Sequence, residues 1–155
     1  MNQAMAARPH THAHGLKRVW TAKMVHPSVD AGQGTRASFV STNFDVPEKG
    51  LGATLFISSF GLYRCFINGT RVGADVLTPG WTAYDKRLSY QSYDVSDLLE
   101  EGSNRIEIWL ADGWYRSQLM WEHDAIVNCW GDKVGAIAEI VVDEGENPVV
   151  ATDAN

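Results

Sequence analysis

Cysteine is scarce: Cys65 and Cys129 are the only two in 155 residues. A disulfide framework needs more, so both thiols are expected to be reduced and mostly buried, with one Cys65–Cys129 bridge as the alternative in an exported protein. Long apolar runs are absent too, and none approaches the roughly 20 residues that span a bilayer. The opening M-N-Q-A-M-A-A-R-P-H-T-H-A-H-G lacks the continuous apolar core of a secretory signal. These absences point to a cytoplasmic protein with no membrane partner. Positive charge is also short: 13 Lys and Arg stand against 19 Asp and Glu, a net charge of -6. Lys49, Lys86, Arg87, Arg105 and Arg116 are scattered among acids rather than clustered, which excludes a phosphate-backbone footprint and so a nucleic-acid partner.

Catalytic signatures are missing as well. The chain has no nucleophile elbow, phosphate loop, H-E-x-x-H pattern or paired-cysteine zinc spacing. Glycoside hydrolysis needs two carboxylates facing each other across a bond. The acids here, Glu100-Glu101 and Asp143 to Glu146, are sequence neighbours at element ends, where solvation explains them. The chain is not expected to be an enzyme by itself.

What is present is the material of one globular domain: 45% hydrophobic and 21% charged residues, enough for one real core. Residues 1–17 are polar and aperiodic and read as a mobile tail. His10, His12 and His14 within it would have to order that tail before clipping a metal. Strands are predicted at Arg18–Val25, Ala37–Val46, Thr54–Phe60, Tyr63–Ile67, Arg71–Gly73, Leu88–Val95, Arg105–Leu110 and Val134–Val142, from period-two alternation between turn signals. Asn68-Gly69 supplies the two left-handed residues of a type I′ hairpin turn. Ser96 is placed to cap a short helical turn through Leu99, with Gly102 as its stop. The predicted fold is all-β, an antiparallel two-sheet sandwich with one short helix over residues 18–146, and residues 147–155 read as an exit segment.

Aromatic residues crowd the second half. Trp20, Trp81 and Trp109 are expected to fill the sandwich core and cover its ends. Trp114 and Trp121, in a loop-like run with Tyr115 and Arg116, can face either a sugar or a neighbouring domain, because an aromatic ring offers a flat apolar face to an amphipathic ligand. Asp75, Asp112, Asp124, Asn128 and Asp132 form a loose set of oxygen ligands without diagnostic spacing. Asp85 and Arg87 read either as an ion pair or as part of an interdomain polar patch.

Three segments in order, G-L-Y-R-C-F-I-N-G-T-R-V-G, T-P-G-W-T-A-Y-D-K-R-L-S-Y-Q-S-Y-D-V-S and G-S-N-R-I-E-I-W-L-A-D-G-W-Y-R, resemble the N-terminal β-sandwich domain of bacterial α-L-rhamnosidases of the glycoside hydrolase family 78 type. The resemblance covers roughly Trp20 to Val142. It implies a noncatalytic, jelly-roll-like, galactose-binding-like domain placed before an (α/α)-barrel that carries the general acid and base and releases terminal L-rhamnose. That barrel is the expected partner, and rhamnosyl sugars are the alternative one. No cofactor is implied as required. Some relatives are similar to modules that hold rhamnose through calcium, using an Asp-Asn pair after the hairpin and a later loop. Asp75 matches the acid, Val76 stands where the amide would be, and Asn128 lies in the matching later loop. Trp114, Tyr115, Arg116 and Trp121 remain the candidate sugar-binding or interdomain residues.

Overall fold

Alternation of apolar and polar residues buries one face of each strand, and two such faces close on each other. The structure is a computed structural model that describes residues 18–121, 125–143 and 147–153. The tail over residues 1–17 with its three histidines, Asp124, and residues 144–146 lie outside the described residues. Eight strands form among the described residues: β1 Ser38–Val46, β2 Ala53–Phe60, β3 Leu62–Ile67, β4 Thr70–Arg71, β5 Gln91–Asp94, β6 Gly102–Ala111, β7 Gly135–Val142 and β8 Val150–Ala151. They make two four-stranded sheets, in the orders β1-β6-β3-β4 and β5-β2-β7-β8. All the strand pairs are antiparallel. Phe44, Val46, Leu55, Ile57, Cys65, Ile67, Ile106, Ile108, Leu110, Ala136, Ala138 and Ile140 meet between the sheets as one core. The predicted two-sheet sandwich is the observed one.

The Asn68-Gly69 turn joins β3 to β4 with φ of 50° and 78°. The Asn68 side chain accepts the Arg105 N–H at 2.9 Å and donates to Asn104 Oδ1 at 2.8 Å and to the Leu98 carbonyl at 3.0 Å. The hairpin is thereby tied to β6 and to the turn before it. Helical structure among the described residues amounts to a 3-10 turn at Ser96–Leu98 and a one-turn helix, α1, at Gly113–Arg116. Ser96 does not cap the first. Its hydroxyl donates to Asp94 at 2.6 Å and accepts the Ala53 N–H at 2.8 Å, stitching β5 to β2 instead.

Several expectations are corrected. Arg18–Val25 is not a strand: its one ladder contact is an isolated bridge from Val25 to Ala136. The amides of Thr21 and Ala22 donate instead to Glu139 Oε2 at 3.0 and 2.9 Å. A buried carboxylate competes with a strand edge for the same N–H groups, and here it wins. Glu139, on the outer face of β7 but only 2% exposed, also accepts from both Arg18 Nε, at 2.7 Å, and Arg18 Nη2. The Arg18 guanidinium lies 3.4 Å from the Phe56 ring centroid, and Trp20 meets Tyr90 edge-on at 5.7 Å. Together these side chains roof the outer face of the second sheet.

Trp20, Trp81 and Trp109 are not core. Trp20 is half-buried in that roof, and Trp81 is exposed. Trp109, also exposed, alternates with Ile108 and Leu110 and so points outward from β6. Strand parity overrides hydrophobicity there. The thiols are free, as expected; Cys65 is buried, but Cys129 is exposed. Burial pushes the Cys65 thiol far up. Asp85 pairs with Lys86 at 3.1 Å, while Arg87 reaches Thr82 at 3.4 Å. The segment read as leaving the sandwich returns to it as β8, which pairs with β7.

Candidate binding surface

β6 runs straight into Asp112 and α1, so whatever α1 carries is fixed to the edge of the sandwich. Gly113 adopts φ of 52°, and a Cβ there would lie 2.6 Å from Leu62 Cγ. The turn therefore packs backbone against β3, which swings the three following side chains in different directions. Arg116 turns inward and is 2% exposed. Its guanidinium donates to Asp112 Oδ1 at 2.7 Å, to both carboxylate oxygens of Asp30, and to the Asp132 carbonyl at 3.2 Å. One arginine thus gathers the 30s loop, α1 and the loop before β7. The hydrogen bond from Arg116 holds the Asp30 carboxyl below its ordinary range against the opposing effect of burial. Burial pulls the Arg116 guanidinium down, but Asp30 and Asp112 more than offset this and its pKa is raised.

Tyr115 is also buried. Its ring stacks on Phe60 at 4.7 Å and meets Tyr84 edge-on at 5.2 Å, and Tyr84 meets Trp130 at 5.7 Å. Burial, with Asp132 nearby, pushes the Tyr115 phenol up. A Cβ on Gly131 would fall 2.2 Å from the Tyr115 hydroxyl, so glycine lets the loop close over the ring. Trp114 turns outward and stacks on Trp81, with centroids 6.0 Å apart and planes 15° apart.

Beyond α1 the chain makes a small excursion, closed by reciprocal backbone bonds of 2.8 Å between Leu119 and Ile126. Met120, Trp121, Ile126 and Val127 stand exposed on it, Trp121 at 89%. The four candidates therefore divide: Tyr115 and Arg116 are buried and hold the loop, whereas Trp114 and Trp121 reach its surface. The structure joins Trp114 to Trp81, a ring expected in the core or over its ends.

Asp75 sits in the segment between β4 and β5. Tyr93 donates to its Oδ2 at 2.9 Å and Arg71 to its carbonyl at 2.6 Å. Tyr93 lies 3.3 Å from the Tyr63 hydroxyl, which donates to Gln91 at 2.7 Å. Burial pushes both the Tyr63 and the Tyr93 phenols up. Asn128 lies on the other loop, exposed and left-handed at φ of 56°, with its N–H 3.3 Å from the Arg116 carbonyl. Among the described residues no three His, Cys, Asp or Glu side chains gather as a metal would require.

A second aromatic surface had no distinct sequence signal. Phe39 is paired with Trp109 across β1 and β6, and Phe66 on β3 tilts against Trp109 at 5.7 Å. The only available clue was parity, which sends all three to the outer face.

This sandwich, with aromatic residues presented on its loops, matches a known family over more than half of its length. The α-L-rhamnosidase N-terminal domain family matches residues 49–155. The chain belongs to that family. An α-L-rhamnosidase of Streptomyces avermitilis is 38% identical over 104 residues, covering 62% of this chain and 10% of the relative. One from Formosa agariphila is 30% identical over 118 residues, covering 76% and 13%. Among solved structures, native α-L-rhamnosidase from Aspergillus terreus matches 87% of this chain and 16% of that one at a TM-score of 0.74 and 31% identity. The Streptomyces avermitilis enzyme complexed with L-rhamnose matches 76% and 12% at a TM-score of 0.69 and 31% identity. This rhamnosidase N-terminal domain therefore spans a small fraction of the length of the relatives it resembles.

Proposed function

We propose that this rhamnosidase N-terminal domain is a noncatalytic accessory part of an α-L-rhamnosidase, packing on the (α/α)-barrel that hydrolyses terminal α-L-rhamnose. The observation that carries this reading is the loop after α1. Its apolar side chains are exposed, yet the loop is anchored by the buried Arg116 and Tyr115. Exposed Met120 and Trp121 beside the Trp81–Trp114 stack suit a permanent neighbour, because exposed apolar patches usually mark contact surfaces. The 84–90% of those relatives' length that this chain does not match leaves room for such a neighbour in a parent enzyme.

The second reading is an autonomous sugar-binding module, favoured by the near-parallel Trp81–Trp114 stack with one indole exposed. In that reading calcium held by Asp75 and Asn128 assists. Titration calorimetry of the folded chain with L-rhamnose, with calcium and then with chelator, separates the two. The packing role predicts no saturable heat under either condition. Saturable heat lost in chelator overturns it in favour of calcium-dependent binding. In the parent enzyme, W121S is expected to increase protease cleavage between this domain and the rest; unchanged cleavage would count against packing through this loop.

A further inference from the structure

The sandwich is open along one side. On β1, Ser38, Val40, Thr42, Phe44 and Val46 share the core face, because Val40 pairs with Ile108 and Thr42 with Ile106, both buried. Ser38, Phe44 and Val46 are buried as expected, but Val40 is half-exposed and Thr42 exposed. Facing them, the other sheet ends in β8, two residues long. A cleft of ≈ 570 Å³ results, floored by Val40, Ile106, Ile108 and Val150 and rimmed by Thr42 and Asp153. Beside it β1 is the edge of its sheet, with a full row of outward backbone N–H and C=O groups over nine residues. A long regular edge beside a slot with an apolar floor and a polar rim is a template for another strand, whose alternate side chains can meet both.

We infer that this cleft is the seat of a further β-strand, contributed by the polypeptide of the parent enzyme outside residues 1–155, which pairs with β1 and covers Val40 and Thr42. This rests on the reading of the chain as part of a longer rhamnosidase, whose relatives it spans only to 10–16%. Thr152 and Asp153, just past β8, already line the slot. A segment nearby in sequence closes a short loop, and short loops cost little closure entropy. The strand belongs inside this domain, unlike the loop after α1, which faces outward.

Hydrogen exchange read on β1 tests the inference in the 155-residue chain and in the longer polypeptide of the same enzyme. The outward amides of β1 are expected to exchange at least about tenfold more slowly in the longer molecule, since paired edge amides open only with the sheet. Thr42→Trp gives a second readout. It should leave the melting temperature of the short chain nearly unchanged, because the side chain has open space, and lower that of the longer molecule by about 5 °C or more. Equal exchange at β1 in both molecules overturns the proposal. So does protection in the short chain that rises with its own concentration, which would assign the cleft to a second copy. Protection around Trp121 is a separate readout, so failure here leaves the packing role standing.

Discussion

Arg116 concentrates more structure than any other single side chain near the loop. It is buried, and its partners Asp30 and Asp112 keep only 19% and 16% of their side-chain surface exposed. Removing one member of such a pair leaves its partners desolvated and unpaired. Arg116→Met is therefore expected to cost about 3 kcal/mol in chemical denaturation, towards the lower end for buried pairs because the carboxylates keep some water. The same contact sets an acid limb. The Asp30 carboxyl is lowered in the fold, so its contribution is complete above the ordinary value of 3.8 and is lost as pH falls through the folded value. Denaturation midpoints should drop below about pH 4, and Arg116→Met should flatten that drop. An alkaline limb has the opposite origin. Tyr63 and Tyr93 are raised, so the unfolded chain ionises first and stability should fall above the ordinary tyrosine value of 10.0. Two glycines separate backbone strain from crowding. Gly69 has open space but φ of 78°, so Gly69→Val should cost about 1–3 kcal/mol through strain alone. Gly131→Ala should instead disturb Tyr115 and show in near-ultraviolet dichroism.

Elements were legible wherever one face is buried and the turn is local. β2, β6 and β7 sort their residues by parity, and the Asn68-Gly69 turn declares itself by residue type. The failure at Arg18–Val25 has a specific cause. Its alternation is real, but its amides satisfy a carboxylate more than a hundred residues away. Glu139 gave no warning, since a glutamate between Ala138 and Ile140 reads as the solvent side of β7. Its four hydrogen bonds predict that Glu139→Ala frees the whole 18–22 segment. Stability should fall by about 3 kcal/mol, because two backbone N–H groups and a guanidinium lose a charged acceptor. Hydrogen exchange at Thr21 and Ala22 should rise with it, while exchange on β3 and β6 stays near its original rate.

At the scale of the whole molecule, family and sandwich were readable because the hairpin, the P-G-W-T loop and the D-G-W-Y turn keep their order along the chain. The surface was readable only in part. Trp114 and Trp121 stood out as loop aromatics, but the stacking of Trp81 on Trp114 depends on a fold-back no local spacing reveals. Nor could sequence divide Trp114 and Trp121 from Tyr115 and Arg116, since Trp114, Tyr115 and Arg116 already split between surface and core within one helical turn. The thiols offer a check on the global packing. Cys129 is exposed and Cys65 sealed in the core, so one thiol should react with a disulfide reagent in the native chain and two after denaturation. A last consequence follows from the bonds that Lys23 and Thr152 exchange: the Lys23 N–H reaches the Thr152 carbonyl at 2.7 Å, and the Thr152 hydroxyl returns to the Lys23 carbonyl at 2.7 Å. The first described segment and the segment after β8 are thus stapled to each other as well as to β7, whose Ala138 carbonyl accepts the Thr152 N–H at 2.8 Å. Pulling on either segment therefore loads the same β7 edge, so the two should come away from the sandwich together rather than one at a time.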